Sequence, residues 1–361
     1  MKILTVIGTR PNFIKVTRFK EVANTYPSIE IKIAHTGQHY DNNMADVFFE
    51  QFELVPDYFL KVNSGSPINQ IAEILIKLEE LILTQFKPDL ILAVGDVNST
   101  LAAALTANKM NIKLGHIESG LRSFDESMPE EHNRIVTDKL SNLFFVTEPS
   151  GILNLKNENI PSDKIHYVGN TMIDTLVKFE KQIEQSDILK KLNLQSKKYI
   201  LSTLHRPATV DTQEGLLKLI EVFNSVNYKI IFPIHPRTTA SLKKYGLYEQ
   251  LIQNKNLIIT EPLDYFAFQK LIKDSYFIIT DSGGIQEEST FLQIPCLTLR
   301  NNTERPVTCD IGTNTLLEFN LESITNKIAE IENGQYKKGQ IPNLWDGHAT
   351  ERIFQVISKQ K

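Results

Sequence analysis

Short apolar runs recur along this chain, and each of them ends at a turn rich in glycine or polar residues. Leu90–Val94 stops at Gly95 before an alanine-rich helical segment, and Phe277–Thr280 stops at Asp281 before another helical segment. Buried parallel strands are typically continuous apolar runs, and strands that alternate with helices indicate a parallel sheet. The pattern therefore predicts an α/β fold with a doubly wound sheet.

The strand and helix alternation begins a second time after a charged helical stretch at Lys178–Lys198. The chain has 361 residues, and a single core stops growing beyond about 250–300 residues. We therefore expect two domains, an N-terminal one over residues 1–170 and a C-terminal one over 171–345. Residues 346–361 are predicted to form a final helix that packs back on the N-terminal domain.

Composition excludes several classes of protein. The formal net charge of −4 is not the basic signature of a nucleic-acid-binding protein. Cys296 and Cys309 are the only cysteines, which leaves neither a disulfide framework nor a zinc cluster. No apolar stretch approaches the roughly 18 residues of a membrane span, and the N-terminus does not resemble a signal peptide. We expect a cytoplasmic protein with no metal and no membrane or nucleic-acid partner.

Three carboxylates follow predicted strands or open a predicted helix. Asp96 and Glu118 stand at strand ends, and Glu130 follows a proline that suits the first turn of a helix. Ligands of open α/β sheets bind beyond the carboxyl ends of the strands, so these acids should share one crevice. The alternative for Glu130 is a helical ion pair with Arg134, four residues later. His116, beside Glu118, is read as a buried strand residue or a site residue.

A second set of residues suits a phosphate. Ser282, Gly283 and Gly284 precede a helix, where glycines allow close approach and free amides attract anions. Glu288, further along that helix, is suited to ribose hydroxyls; the alternative is an ordinary β-α turn. Neither GxGxxG nor a Walker sequence is present, so a dinucleotide or P-loop nucleotide is not indicated.

Cationic residues near other strand ends complete the pattern. Arg10 and Lys15 follow the first strand, and His205 with Arg206 ends a strand in the second half. Arginine offers a forked set of donors to a diphosphate. The alternative for Arg10 is a surface ion pair, and a lone histidine is more often structural.

Ten motifs in order along the chain resemble the non-hydrolysing, bacterial UDP-N-acetylglucosamine 2-epimerases. The resemblance spans nearly the whole sequence. The motifs are GTRPNFIK at 8–15, HTGQHYD at 35–41, VGDVNST at 94–100, GHIESGLRS at 115–123, MPEEHNR at 128–134, VGNTMID at 168–174, TLHRP at 203–207, EPLDYF at 261–266, DSGGIQEE at 281–288 and TERP at 303–306.

This resemblance implies two Rossmann-like domains that face each other across a cleft, as in GT-B glycosyltransferases. The implied reaction inverts carbon 2 of a UDP-sugar by eliminating UDP to 2-acetamidoglucal and adding it back, without a cofactor. It interconverts the N-acetylglucosamine and N-acetylmannosamine forms for surface polysaccharide precursors, and relatives are usually homodimers. By position, the resemblance implies catalytic roles for Asp96, Glu118, Glu130 and His205.

Further residues receive roles from the same resemblance. Those that would bind the UDP-sugar substrate are Arg10, Lys15, Arg134, Ser282, Gly283, Gly284 and Glu288. Those that would form an allosteric site are Gln38, His39 and Gln70.

Two departures from the family pattern leave alternatives open. Pro207-Ala208-Thr209 follows Arg206 where many members have polar residues, and Val307 replaces a usual glutamate. The first alternative is therefore a 2-epimerase of a UDP-2,3-diacetamido sugar acid. A glycosyltransferase or a non-catalytic nucleotide-sugar sensor is a further alternative, although neither needs three carboxylates in one cleft.

Overall fold

A computed structural model describes residues 1–37, 51–63 and 65–360 of the chain. The chain forms two compact units, one of Met1–Lys178 with Asn343–Lys361 and the other of Phe179–Pro342. Each unit contains a parallel sheet whose strands alternate with helices. The predicted α/β fold with doubly wound sheets is confirmed. Among the described residues, no helix combines the length and apolar character that a membrane span requires.

The sheet of the first unit has seven strands in the order β3-β2-β1-β4-β5-β6-β7, and every pairing is parallel. Its strands are β1 (Lys2–Ile7), β2 (Glu30–His35), β3 (Tyr58–Phe59), β4 (Leu90–Val94), β5 (Lys113–Ile117), β6 (Leu143–Val146) and β7 (Ile165–Tyr167). Its helices are α1 (Arg10–Ile14), α2 (Phe19–Ala23), α3 (Pro67–Thr84), α4 (Asn98–Lys109), α5 (Pro129–Leu140), α6 (Pro149–Asn157), α7 (Thr171–Lys178) and, at the end of the chain, α18 (Ala349–Ile357).

The sheet of the second unit has six strands in the order β10-β9-β8-β11-β12-β13, again all parallel. Its strands are β8 (Tyr199–Thr203), β9 (Lys229–Pro233), β10 (Leu257–Thr260), β11 (Ile278–Thr280), β12 (Cys296–Thr298) and β13 (Asn314–Leu316). Its helices are α8 (Glu180–Glu184), α9 (Ile188–Lys191), α10 (Pro207–Val210), α11 (Gln213–Ser225), α12 (Pro236–Lys244), α13 (Tyr248–Ile252), α14 (Tyr265–Asp274), α15 (Gly283–Phe291), α16 (Pro306–Asp310) and α17 (Leu321–Glu332).

Each sheet reverses its strand order once, and this reversal determines where a ligand can bind. In the first unit it lies between β1 and β4, and in the second between β8 and β11. Doubly wound sheets bind ligands at this switch point, outside the carboxyl ends of the strands. The turns that follow β1, β4, β8 and β11 are therefore the expected ligand-binding positions.

Apolar side chains cover both faces of each sheet. In the second unit, Phe223, Phe232 and Phe277 are buried on one face, while Leu271 and Ile278 are buried on the other. Fully burying side chains of this size contributes about 1.5–3 kcal/mol each. Both sheets are therefore well supported platforms for the turns at their edges.

The C-terminal segment packs on the first unit. The carboxylate of Asp174, in α7, accepts hydrogen bonds from the amides of Ala349 (3.0 Å) and Thr350 (2.6 Å) at the start of α18. The indole of Trp345 is buried and donates to the Thr147 carbonyl at 3.0 Å. The chain passes to the second unit after Lys178, so α7 lies in the first unit, whereas a division at residue 170 assigns it to the second.

Some elements differ from those that the sequence suggests. Apolar residues at helical spacing over 12–21 favour one continuous helix. The structure instead has two short helices, α1 and α2, because Lys15 ends the first of them. Strands β3 and β13 contain two and three residues. Runs so short carry no recognisable apolar pattern.

Candidate functional site

A buried ion pair lies at the switch point of the first sheet. The ammonium of Lys15, at the end of α1, pairs with the carboxylate of Glu118, which follows β5. Gly95, after β4, lies against both groups, since a Cβ atom there would be 3.4 Å from Glu118 Oε2 and 3.4 Å from Lys15 Nζ. Gly95 also has a φ of +69°. Glycine is therefore required at this position for both space and backbone conformation.

Glu118 has a backbone conformation that is rare for a residue with a side chain. Its φ is +74°, in the left-handed region. The amides of Glu118 and Ser119 both donate to the Phe145 carbonyl, at 3.0 and 3.1 Å, which fixes this turn. Such a conformation costs about 1–3 kcal/mol and is found most often at functional sites. This turn and the ion pair with Lys15 together hold the Glu118 carboxylate at the switch point.

A second acid, Asp96, is bound to a different cation. The guanidinium of Arg134, in α5, pairs with both Asp96 and Glu131. The Arg134 side chain is 2% exposed, whereas that of Asp96 is 24% exposed and accessible to a ligand. Asn133 also donates to the Asp96 carbonyl at 2.9 Å. Helix α5 thus holds both the side chain and the backbone of Asp96.

Glu131 anchors the Arg134 guanidinium. Its carboxylate accepts hydrogen bonds from the Ser123 amide (2.9 Å), the Ser123 hydroxyl (2.9 Å) and the Phe124 amide (3.0 Å). Burial acts to raise the pKa of Glu131, but the hydrogen bonds and the charge of Arg134 lower it below its usual value. The ionised Glu131 therefore orients Arg134 toward Asp96.

The third predicted acid, Glu130, is half-buried in the first turn of α5. Its side chain has neither a hydrogen bond nor an ion pair with any other described residue. Asp96, Glu118 and Glu130 therefore differ in their electrostatic surroundings, as groups with different roles in proton transfer must. Within residues 1–37, 51–63 and 65–360, no cluster of three or more His, Cys, Asp or Glu residues is suited to hold a metal ion.

The switch point of the second sheet is built on one buried carboxylate. Asp281, directly after β11, accepts hydrogen bonds from the amides of His205 (2.9 Å) and Arg206 (2.8 Å). Its Oδ1 also lies 3.1 Å from Nδ1 of the His205 ring. Burial acts to raise the pKa of Asp281, but the contacts with His205 and Arg206 lower it below its usual value. The ionised Asp281 takes the Nδ1 proton of His205 as its partner, which leaves Nε2 for a ligand.

The start of α15 has the features of an anion site. Ser282 caps this helix, and Gly283 and Gly284 are its first two residues. A Cβ atom on Gly283 would lie 2.9 Å from Arg305 Nη1 and 2.9 Å from Glu304 Oε1, so a side chain there would displace these charged groups. Unpaired amides and the helix dipole attract phosphate to such a position. Glu288, on the same helix, is buried and accepts a hydrogen bond of 2.5 Å from Gln269.

Comparisons with known proteins agree with this arrangement. The family model of UDP-N-acetylglucosamine 2-epimerase matches residues 21–358. The chain belongs to this family. It is 44% identical to a UDP-N-acetylglucosamine 2-epimerase homolog of Methanococcus maripaludis, with 99% of each chain covered. It is 36% identical to the UDP-2,3-diacetamido-2,3-dideoxy-D-glucuronate 2-epimerase of Pseudomonas aeruginosa, with 99% of this chain and 100% of the relative covered.

A solved structure of this epimerase family is similar over the whole chain. It is the UDP-GlcNAc 2-epimerase of Methanocaldococcus jannaschii in complex with UDP-GlcNAc and UDP. The two chains are 39% identical, cover each other completely and superpose with a TM-score of 0.91. The chain is thus an epimerase-family member in both sequence and fold.

The structure places most of the predicted residues in two groups, and these roles remain predictions. Lys15, Asp96, Glu118 and Arg134 lie at the first switch point, and His205 lies with Ser282, Gly283 and Gly284 at the second. The half-buried Arg10 is the first residue of α1. Gln70 accepts a hydrogen bond of 3.1 Å from Asn98, while Gln38 and His39 lie outside the described residues.

Sequence reasoning missed residues that hold the predicted ones in place. These are Glu131 and Asp138 in α5, Asn12 in α1, which donates to the Val94 carbonyl at 2.9 Å, and Asp281. Glu131, Arg134 and Asp138 are spaced by three and four residues. This spacing puts three charged residues on one face of the helix. It therefore indicates a polar network on that face.

Proposed function

We propose that this epimerase-family chain interconverts UDP-N-acetylglucosamine and UDP-N-acetylmannosamine. The observation that carries the proposal is that two carboxylates with different cationic partners, Asp96 and Glu118, lie directly after neighbouring strands, and that Glu118 has a left-handed backbone conformation. Removing and returning a proton at the two faces of one carbon requires more than one acid/base group. The similar epimerase structure in complex with UDP-GlcNAc and UDP supports this choice of substrate.

In the proposed reaction, the carboxylates of Asp96, Glu118 and Glu130 share the removal and return of the proton on carbon 2. The C2–H bond breaks, its electrons form the C1–C2 double bond, and the bond from C1 to the UDP oxygen breaks. UDP then adds back to 2-acetamidoglucal after a proton arrives on the opposite face. Lys15 and Arg134 hold the carboxylates of Glu118 and Asp96 in place for this proton transfer.

The second unit would hold the leaving UDP. The amides of Gly283 and Gly284, the Ser282 hydroxyl and the Nε2 atom of His205 would stabilise charge that builds on the diphosphate. Arg10 would supply a further cation. Glu288 would exchange its hydrogen bond with Gln269 for one with a ribose hydroxyl.

Deuterium exchange tests the proposal directly. UDP-N-acetylglucosamine incubated with the protein in deuterium oxide should gain deuterium at carbon 2 while UDP-N-acetylmannosamine appears. A glycosyltransferase or a sensor has no step that touches this proton. Exchange into a UDP-2,3-diacetamido sugar acid instead would assign the substrate of the Pseudomonas aeruginosa relative, and no exchange into any UDP-sugar would exclude an epimerase.

Further properties expected of the chain belong to the same proposal. We expect a homodimer, and a single species of 41.2 kDa in analytical ultracentrifugation would contradict it. An allosteric site that includes Gln70, and a cytoplasmic location, remain predictions from the sequence.

A further inference from the structure

Both ring nitrogens of His116 face hydrogen-bond acceptors. In the buried strand β5, His116 Nε2 lies 2.8 Å from the Gly95 carbonyl and Nδ1 lies 2.6 Å from Asp138 Oδ1. His116 and Asp138 are both 0% exposed. A carbonyl oxygen can only accept, so Nε2 must carry a proton.

The state of Asp138 decides the state of Nδ1. The Asp138 carboxylate also accepts from the Gly120 amide at 3.1 Å, and its Oδ2 is 2.7 Å from the Arg122 guanidinium. Burial acts to raise the pKa of Asp138, but His116 and Arg122 outweigh it and the pKa is lowered. An ionised carboxylate only accepts, so Nδ1 donates to it, and both ring nitrogens of His116 act as hydrogen-bond donors.

This buried pair connects the turns that carry two of the proposed acids. Gly95, whose carbonyl His116 holds, immediately precedes Asp96, and Gly120, whose amide Asp138 holds, closes the turn that begins at Glu118. Asp138 is one helical turn from Arg134, which binds the Asp96 side chain. Two residues on one face of α5 therefore hold Asp96. Arg134 binds its side chain, and Asp138 acts through His116 on the peptide between Gly95 and Asp96.

Packing alone does not explain a buried pair of His116 and Asp138. Removing two charges from water costs several kcal/mol per ion, and a hydrophobic pair of similar volume is often as stable or more stable. The pair instead supplies directed hydrogen bonds to two specific backbone groups. Displacement of a reacting group by about 1 Å costs about a hundredfold in rate, so such bonds matter most next to the chemistry.

We propose that His116 is a positioning residue of the acid/base site, in which Nε2–H fixes the Gly95 carbonyl and thereby aims Asp96, while Nδ1–H ties this bond to Asp138 and the Glu118 turn. The proposal rests on the proposed epimerase function. It assigns His116 no contact with substrate.

Two substitutions separate the two hydrogen bonds. In His116→Gln, the side-chain amide reaches the position of Nε2 and keeps the bond to Gly95. In His116→Asn, the amide reaches the position of Nδ1 and keeps only the bond to Asp138. We expect kcat for epimerisation to fall about a hundredfold in the Asn variant with KM within a few-fold of wild type, and to recover at least tenfold in the Gln variant.

The matched control is His166→Asn, in strand β7 of the same sheet, which should leave kcat unchanged. Thermal unfolding of all variants shows whether activity merely follows stability. Equal kcat in the Asn and Gln variants, an effect on KM alone, or losses of kcat that track the unfolding midpoint would each overturn the positioning role.

A spectroscopic experiment keeps this test separate from that of the proposed function. With 15N-labelled histidine, the wild-type protein should show one exchange-protected ring with protons on both nitrogens, absent in His116→Asn. The signal does not depend on which substrate the protein accepts. Absence of UDP-sugar exchange with this signal present would reject the proposed function and leave the His116 geometry supported. Absence of the signal would reject the two hydrogen bonds that His116 is proposed to donate.

Discussion

The two switch points use carboxylates in opposite ways. In the first unit, Asp96 and Glu118 each pair with a cationic side chain, and Asp96 is 24% exposed. In the second unit, Asp281 is fully buried and holds the backbone amides of His205 and Arg206. In the first unit, ionisable carboxylates are therefore accessible to a ligand. In the second unit, the carboxylate is buried, and a histidine and the amides at the start of α15 are accessible instead.

The same topological position can therefore serve proton transfer or anion binding. A proton-transfer site needs several titratable groups whose surroundings differ. An anion site needs donors without nearby exposed negative charge, which the glycines at the start of α15 provide. A substitution at Glu118 that keeps shape but removes the titrating group should slow proton transfer and leave UDP binding intact. Substitutions that keep a ligand away from the backbone at the start of α15, or that remove a cationic side chain, should weaken UDP binding.

The largest effect is expected from Glu118→Gln, which keeps shape and removes the titrating group. Deuterium exchange at carbon 2 should fall at least about a hundredfold, as for a lost acid/base, and UDP affinity should stay within a few-fold of wild type. Glu126→Gln, in an exposed loop position, is the matched control and should behave as wild type. Loss of UDP binding in Glu118→Gln would show that the two sites do not divide the work in this way.

Arg10→Ala should sharpen the comparison, because it removes a proposed diphosphate cation that lies in the first unit. A charge-assisted contact contributes about 1.5–3 kcal/mol, so calorimetry should give UDP affinity about 10- to 150-fold weaker. Lys109→Ala removes an exposed charge from the same unit and controls for general electrostatics. Wild-type UDP affinity in Arg10→Ala would remove Arg10 from the site.

Gly283→Ala should give a smaller loss. The added Cβ atom would meet Arg305 Nη1 and Glu304 Oε1 at 2.9 Å, so these side chains or the start of α15 must shift to admit it. We expect UDP affinity to fall up to about tenfold, equivalent to 1.4 kcal/mol, with kcat near wild type at saturating substrate. Gly65→Ala, where the nearest atom would be at 3.6 Å, is the control. A kcat loss larger than the affinity loss would place Gly283 in the chemical step.

Much of the fold is predictable because buried parallel strands are continuous apolar runs. The apolar run Leu90–Val94 is strand β4 with the same bounds, and the run Phe277–Thr280 contains strand β11. The edge strands β3 and β13 escape prediction, since so few residues carry no periodicity. The break at Lys15 escapes it too, because α1 ends where Lys15 turns to Glu118, a contact distant in sequence.

The sequence predicts which residues belong to the candidate site, but it does not predict which side chains form ion pairs there. Strand ends indicate Asp96 and Glu118 directly, because topology brings those turns together. Arg134 could pair with Glu130 by helical spacing, yet it binds Glu131 and Asp96. The choice depends on Ser123 and Phe124, which hold Glu131 from a neighbouring loop. Such tertiary contacts leave no trace in local spacing.

The smallest effects concern pH, and they contrast two buried aspartates. Burial raises the pKa of Asp174 in the first unit despite its hydrogen bonds to Thr350 and Ala349. In Asp281, contacts with His205 outweigh burial and lower the pKa. The folded first unit therefore favours protonated Asp174, and its stability should fall as pH rises from the unfolded value, about 3.9, through the folded pKa. Asp281 should stabilise above about pH 3.9 and lose this contribution as pH falls through its lower folded pKa.

Trp345 allows the two effects to be measured separately, since it is the only tryptophan and is buried in the first unit. Urea unfolding is followed by Trp345 fluorescence from pH 3 to 6. In Asp174→Asn, the free energy of unfolding should decline less with rising pH than in the wild type. In Asp281→Asn, the wild-type decline should remain. Circular dichroism, which reports both units, should lose part of the acid-induced destabilisation in Asp281→Asn. The assignment would be contradicted if the pH dependence measured by fluorescence changed in Asp281→Asn and not in Asp174→Asn. Burial would then raise the pKa of an aspartate other than Asp174.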